Sequence, residues 1–78
     1  MPTLKYIDGI RFFIYSNEHL PLHIHVEKGD GYAKFNLSPV ELIKSSGLTV
    51  SQLRKISNLV EENKKEFIGK WHEYFSNN

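Results

Sequence analysis

The chain has 78 residues, no cysteine, and 10 basic against 9 acidic side chains for a formal net charge of +1. That balance offers no bulk electrostatic case for nucleic acid, and the missing cysteines remove disulfides and thiolate metal sites. A chain this short is expected to form one domain, residues 1–78, whose thin core buries only about 60–65% of the unfolded surface and so invites a metal or a partner chain.

The opening Met1-Pro2-Thr3-Leu4-Lys5-Tyr6 has no basic segment followed by an apolar one, so no secretory leader is expected and the expected location is cytoplasmic. No apolar run approaches the ~20 residues that span a bilayer, and no membrane partner is expected. Asp8-Gly9 between apolar segments is a hairpin signal and predicts strands over residues 3–7 and 10–16. In the second strand Ile10, Phe12 and Ile14 share one face, and Arg11, Phe13 and Tyr15 share the other. Ser16 to Pro21 reads as a loop of turn formers closed by a proline.

Leu22 to Lys28 alternates, with Leu22, Ile24 and Val26 on one side and His23, His25 and Glu27 on the other. Gly29-Asp30-Gly31 is the next turn. Tyr32 to Leu37 then sets Ala33, Phe35 and Leu37 against Tyr32, Lys34 and Asn36. With either turn pair, Ile24 and Val26 meet the apolar set, and His23 and His25 meet Lys34, Asn36 or Ser38. Ser38-Pro39 is a further turn. Val40 to Lys44 reads as a fifth strand, with Val40, Leu42 and Lys44 on one face and Glu41 and Ile43 on the other.

Thr49 can cap a helix with Gln52 completing a capping box, and Leu48 and Leu53 sit where a hydrophobic staple belongs. Val50, Leu53, Ile56, Leu59 and Val60, then Phe67, Ile68, Trp71 and Phe75, follow helical spacing. One helix over 50–75 would run about 39 Å, longer than the ~30 Å span of a small domain. Two helices broken near Asn63 are therefore expected. Asn63 would end the first in a left-handed conformation or cap the second with Glu66. The expected fold class is α+β: an antiparallel β-meander of four or five strands, mainly within 1–46, packed by one or two C-terminal helices within 49–76.

Three of the four histidines fall in His19-Leu20-Pro21-Leu22-His23-Ile24-His25. His23 and His25 lie two apart on a strand and share a face, and His19 could fold back over them from the loop. One reading is a metal site in which His19, His23 and His25 hold a divalent ion such as zinc with an open position, with Glu18 or Glu27 as an added carboxylate. A second is metal-free acid–base chemistry by His23 and His25. Lys34 and Arg11 would then stabilise a phosphoryl-like transition state, which would suit RNA cleavage. A third is structural: solvated polar side chains, with a hydrogen bond from His25 to Asn36. Phe67, Trp71 and Phe75 form an aromatic stripe whose expected role is core packing against the sheet. His72, Arg54-Lys55 and Lys64-Lys65 are expected to be solvated.

These residues resemble the bacterial domain-of-unknown-function family numbered 4160. The resemblance is carried by Met1-Pro2-Thr3, by Gly9-Ile10-Arg11-Phe12-Phe13-Ile14-Tyr15, and above all by His19 through Val26. Gly31-Tyr32-Ala33-Lys34 and the ending Glu66-Phe67 through Trp71, Tyr74 and Phe75 extend it over essentially the whole chain. Glu18 stands where members commonly carry Asp, and Leu22 stands in place of a second proline. The resemblance names no enzyme activity. It implies a small stand-alone protein, often encoded beside another short protein in toxin–antitoxin-like or regulatory pairs. A small protein partner is then expected, RNA is a second candidate, and His19, His23 and His25 become the expected functional residues. The rival expectation is a His-dependent enzyme, either a metal-free ribonuclease or a metal-dependent hydrolase.

Overall fold

The computed structural model describes residues 3–15 and 22–76. Five antiparallel strands form one meander in the order β1 (Thr3–Ile7), β2 (Ile10–Phe13), β3 (His23–Lys28), β4 (Gly31–Leu37) and β5 (Val40–Ser46). Two helices follow, α1 (Val50–Glu62) and α2 (Lys64–Ser76). The α+β class and the two-helix ending are those expected from the sequence.

Local chemistry sets each hairpin. Asp8 and Gly9 take φ of 51° and 76°, as a two-residue type I′ turn requires, and Ile7 faces Ile10 across it. Lys28 faces Gly31, so Gly29-Asp30 is the second turn pair. Leu37 faces Val40 across Ser38-Pro39, whose peptide bond is cis. The predicted second strand is longer than the observed one. Pairing stops at Phe13, although Ile14 still packs in the core, and residues 16–21 lie outside the described ones.

Alternation sorts the side chains as the pattern predicts. Ile10, Phe12, Ile14, Ile24, Val26, Ala33, Phe35 and Leu37 form one buried face with Ile56, Val60, Phe67 and Trp71 of the helices. Phe12 stacks on Phe67 with ring centroids 5.1 Å apart. The other face carries Arg11, Phe13, His23, His25, Glu27, Tyr32, Lys34 and Asn36, as their pairing shows.

β5 departs from the expected alternation. Phe35 faces Leu42, but Lys34 faces Lys44, so Ile43 is an extra residue in a bulge. The bulge moves Lys44 to the face of Glu41 and Lys34, and leaves Leu42 and Ile43 46% and 49% exposed at the sheet edge. A bulge shifts every following side chain by one face.

The capping box at α1 is complete. Thr49 Oγ1 accepts from the Gln52 amide at 3.0 Å, and Gln52 Oε1 accepts from the Thr49 amide at 2.8 Å. The helices break at Asn63, but with φ −105° and ψ 10° rather than a left-handed conformation. Its side-chain amide donates back to the Leu59 carbonyl at 2.8 Å instead of capping α2. Glu66 is therefore no box partner. Its carboxylate accepts from Lys5 at 2.8 Å and pairs with Lys70 at 3.2 Å, which ties α2 to β1. Lys70 also donates to the Leu4 carbonyl at 2.9 Å.

The hydrogen bonds from Lys5 and then Lys70 hold the Glu66 carboxyl below its ordinary value of 4.5. A carboxylate whose folded-state pKa is depressed contributes stability above the unfolded value and loses it as pH falls through the folded one. Between pH 5 and 3 the wild type is expected to lose melting temperature more steeply than Glu66→Gln. Parallel melting curves for the two proteins across that range would refute the linkage.

Gly31 is buried where the chain after β5 crosses β4. A β-carbon there would fall inside the Leu48 side chain and 2.9 Å from the Gly47 carbonyl oxygen. Gly31→Ala is expected to cost about 1–3 kcal/mol through overpacking. In a denaturation cycle with Leu48→Ala, the double variant should lose less than the two single losses combined. Strict additivity would show that Leu48 is not what the new methyl strikes.

Candidate functional site

The second face of the sheet is where the sequence places its chemistry. β3 aims His23, His25 and Glu27 there, and the neighbouring strands set Phe13 and Lys34 on either side of His25. His25 is 1% exposed, the one buried polar or charged side chain among the described residues. It is enclosed by aromatic rings. Tyr15 lies edge-on at 4.1 Å, Phe13 is stacked at 5.5 Å and Tyr32 is tilted at 6.0 Å, all between ring centroids. His25 Nδ1 and the Tyr32 hydroxyl share a 2.8 Å hydrogen bond, whose direction follows the imidazole tautomer.

Arg11 extends this stack. Its guanidinium sits 4.2 Å over the Phe13 ring, within cation–π range. Nη1 donates to Glu27 at 3.0 Å, and Nε donates to Thr3 Oγ1 at 2.8 Å. Phe13 thus lies between a cation and an imidazole, and a row of Thr3, Arg11 and Glu27 borders it.

The expected site residues fare differently. Arg11, His23, His25 and Lys34 do share one face, as the register shows. Arg11 is paired with Glu27, while Lys34 faces His25 on one side and Lys44 on the other. The hydrogen bond proposed between His25 and Asn36 is not formed. Asn36 opposes His23 and donates its amide to the Pro39 carbonyl at 3.0 Å. His23 is half-buried, with a buried Nδ1. His19 and Glu18 lie outside the described residues, and among the described ones no group of three or more His, Asp or Glu side chains is arranged to hold a metal ion.

The sequence reading missed Phe13, Tyr15 and Tyr32 as the enclosure of His25. Alternation sets Tyr32 beside Lys34 on the His25 face and groups Phe13 and Tyr15 with Arg11, and the pairing of β2 with β3 joins the two sets. The usable signal was that a histidine flanked by aromatics on a shared face will bury.

His72 is exposed, and Phe67 and Trp71 are core residues, as expected. Lys55 reaches across to Asp8 at 3.2 Å. Ser51, Arg54, Lys55, Asn58, Leu59 and Glu62 line a shallow groove on α1.

A family model for a domain of unknown function, DUF4160, matches residues 9–72, from the first hairpin turn to the residue after Trp71. The chain belongs to that family. The match spans β2 to β5, α1 and most of α2, so it includes His23, His25 and every ring around His25. No curated protein and no solved structure matches. None of the described helices is long and apolar enough to cross a membrane.

Proposed function

We propose that this DUF4160 chain is a small regulatory module of the toxin–antitoxin type that binds a short protein partner on the helix-free face of its sheet. The observation that carries the reading is the aromatic and charged set on that face. Tyr15, Tyr32, Arg11, Glu27, His23 and Lys34 are all partly exposed there, and they are anchored by a buried His25. Aromatic and arginine side chains held rigid by packing are what protein interfaces favour, because little entropy remains to be lost on docking. In this reading His25 is a positioning residue that fixes Tyr32 and Tyr15, and the partner touches Tyr32, His23 and Lys34.

The burial of His25 favours binding over proton transfer. A general base must reach the proton that it abstracts, whereas this ring is enclosed and one nitrogen is engaged by Tyr32. RNA is the second partner of the proposal, since Arg11, Lys34 and Lys44 stand on the same face.

The test is co-expression with any short protein found to be encoded beside this chain, an arrangement that the family resemblance implies, followed by calorimetric titration. Lys34→Glu should weaken the complex by about tenfold or more, as charge reversal at an interface does, while Arg54→Glu on α1 leaves it unchanged. Equal affinity for both variants and the wild type would remove the proposed face. Zinc bound stoichiometrically to the purified protein and lost in His23→Ala would replace this reading by the metal-hydrolase one. Chelator-resistant cleavage of a labelled RNA, lost in the same variant, would replace it by the ribonuclease one.

A further inference from the structure

The proposed face leaves the β5 edge unused. β5 is the last strand of the sheet, and residues 41–46 are all exposed. None of the backbone hydrogen bonds outside the ladders among the described residues engages it. Such an edge is a template for another strand.

The bulge at Ile43 gives this edge a particular symmetry. Glu41 faces Asn36 and Lys44 faces Lys34, so both lie on one face, with Leu42 and Ile43 between them. Without the extra residue they would point to opposite faces. An antiparallel copy placed about a two-fold axis between Leu42 and Ile43 would bring Glu41 opposite the partner's Lys44, and Lys44 opposite the partner's Glu41. Leu42 would then meet the partner's Ile43. An isologous contact needs this self-complementarity, in which residue i meets j and j meets i. Opposite charges directly across an antiparallel pair stabilise it, and like charges oppose it. Within the sheet Lys44 faces only another lysine, Lys34, on its own neighbouring strand.

We propose that β5 is the contact strand of a two-fold dimer in which two copies of this chain join their sheets edge to edge. The competing reading is that Lys44 and the bulge blunt the edge against pairing. The neighbouring Leu42 and Ile43, each close to half exposed, weigh against it, because a blunted edge gains nothing from adjacent aliphatic side chains. One strand pair buries less than the ~1,200 Å² of a standard interface, so the dimer is weak, with a dissociation constant on the order of 100 μM.

Sedimentation velocity on the full chain from about 10 μM to 1 mM, spanning that constant, tests the proposal. Wild type should pass from monomer to dimer. Glu41→Lys and Lys44→Glu should each weaken self-association by about tenfold or more, since two pairs per dimer become repulsive. The double swap E41K/K44E should restore it. Mixing the two single variants should produce a heterodimer, because both facing pairs are then opposite in sign. Both positions are exposed, and unchanged far-UV circular dichroism verifies the fold of each variant. A wild type monomeric through 1 mM overturns the proposal, and so do single variants that dimerise as well as the wild type or a double swap that fails to recover.

Discussion

His25→Ala is expected to destabilise the protein by about 3–5 kcal/mol, even though His25 sits on the sheet face opposite α1 and α2. Two losses combine. Removing a fully buried ring leaves a cavity among Phe13, Tyr15 and Tyr32, which in large-to-small substitutions costs several kcal/mol. The Tyr32 hydroxyl also loses its 2.8 Å partner, at about 1–3 kcal/mol if the oxygen stays buried. Each kcal/mol lowers the melting temperature by roughly 4–8 °C in a domain of this size, so a drop of more than about 10 °C is expected. His23→Ala is the control: its ring is half-buried, and about 1 kcal/mol or less is expected, in line with a partly exposed site. Urea denaturation of both variants checks the pair, and equal, small losses would show that the ring enclosure does not hold His25 as a structural element. The consequence for function is direct. Loss of partner binding in His25→Ala would report on Tyr15 and Tyr32 as much as on the imidazole, so the face is better probed with Lys34→Glu, whose side chain is partly exposed.

The second large effect lies on the opposite side of the sheet. Phe67→Ala removes the ring that stacks on Phe12 at 5.1 Å and should cost about 3–5 kcal/mol. Small domains hold a total stability near the lower end of about 5–15 kcal/mol, so this variant is expected to be largely unfolded at 37 °C. Val50→Ala, at a position 73% exposed, should change stability by less than about 0.5 kcal/mol. The contrast is informative because both residues belong to the same apolar helical pattern in the sequence. A cooperative wild-type-like melt for Phe67→Ala would mean that α2 contributes little to the core.

Where a feature depended on neighbours in the chain, the sequence revealed it. The Thr49–Gln52 box, the Asp8-Gly9 turn and the separation of Ile24 and Val26 from His23 and His25 all follow from spacing of two to four residues. The break at Asn63 followed from length, but its geometry did not. The Asn63 amide nitrogen bonds Leu59 behind it, while Lys5, far away in sequence, donates both to Asn63 Oδ1 and to Glu66. The bulge at Ile43 was hidden for a similar reason. Val40 to Lys44 alternates plausibly by itself, and only the register against β4 shows the extra residue. The candidate face was legible as a set of residues, including His23, His25, Lys34 and Arg11. Its internal pairing was not, since the Arg11–Glu27 ion pair and the enclosure of His25 arise from strands that meet only on folding.

The account stands on the claim that the helix-free face, organised by His25, is the surface that meets a partner. Amide chemical-shift mapping of the isotopically labelled chain during titration with a short protein recovered as its partner tests it most directly. The predicted result is that perturbations gather on His23, Glu27, Tyr32 and Lys34 and spare Arg54, Lys55 and Asn58 of α1. Shifts confined to the outer side of α1, with β3 and β4 unchanged, would contradict it.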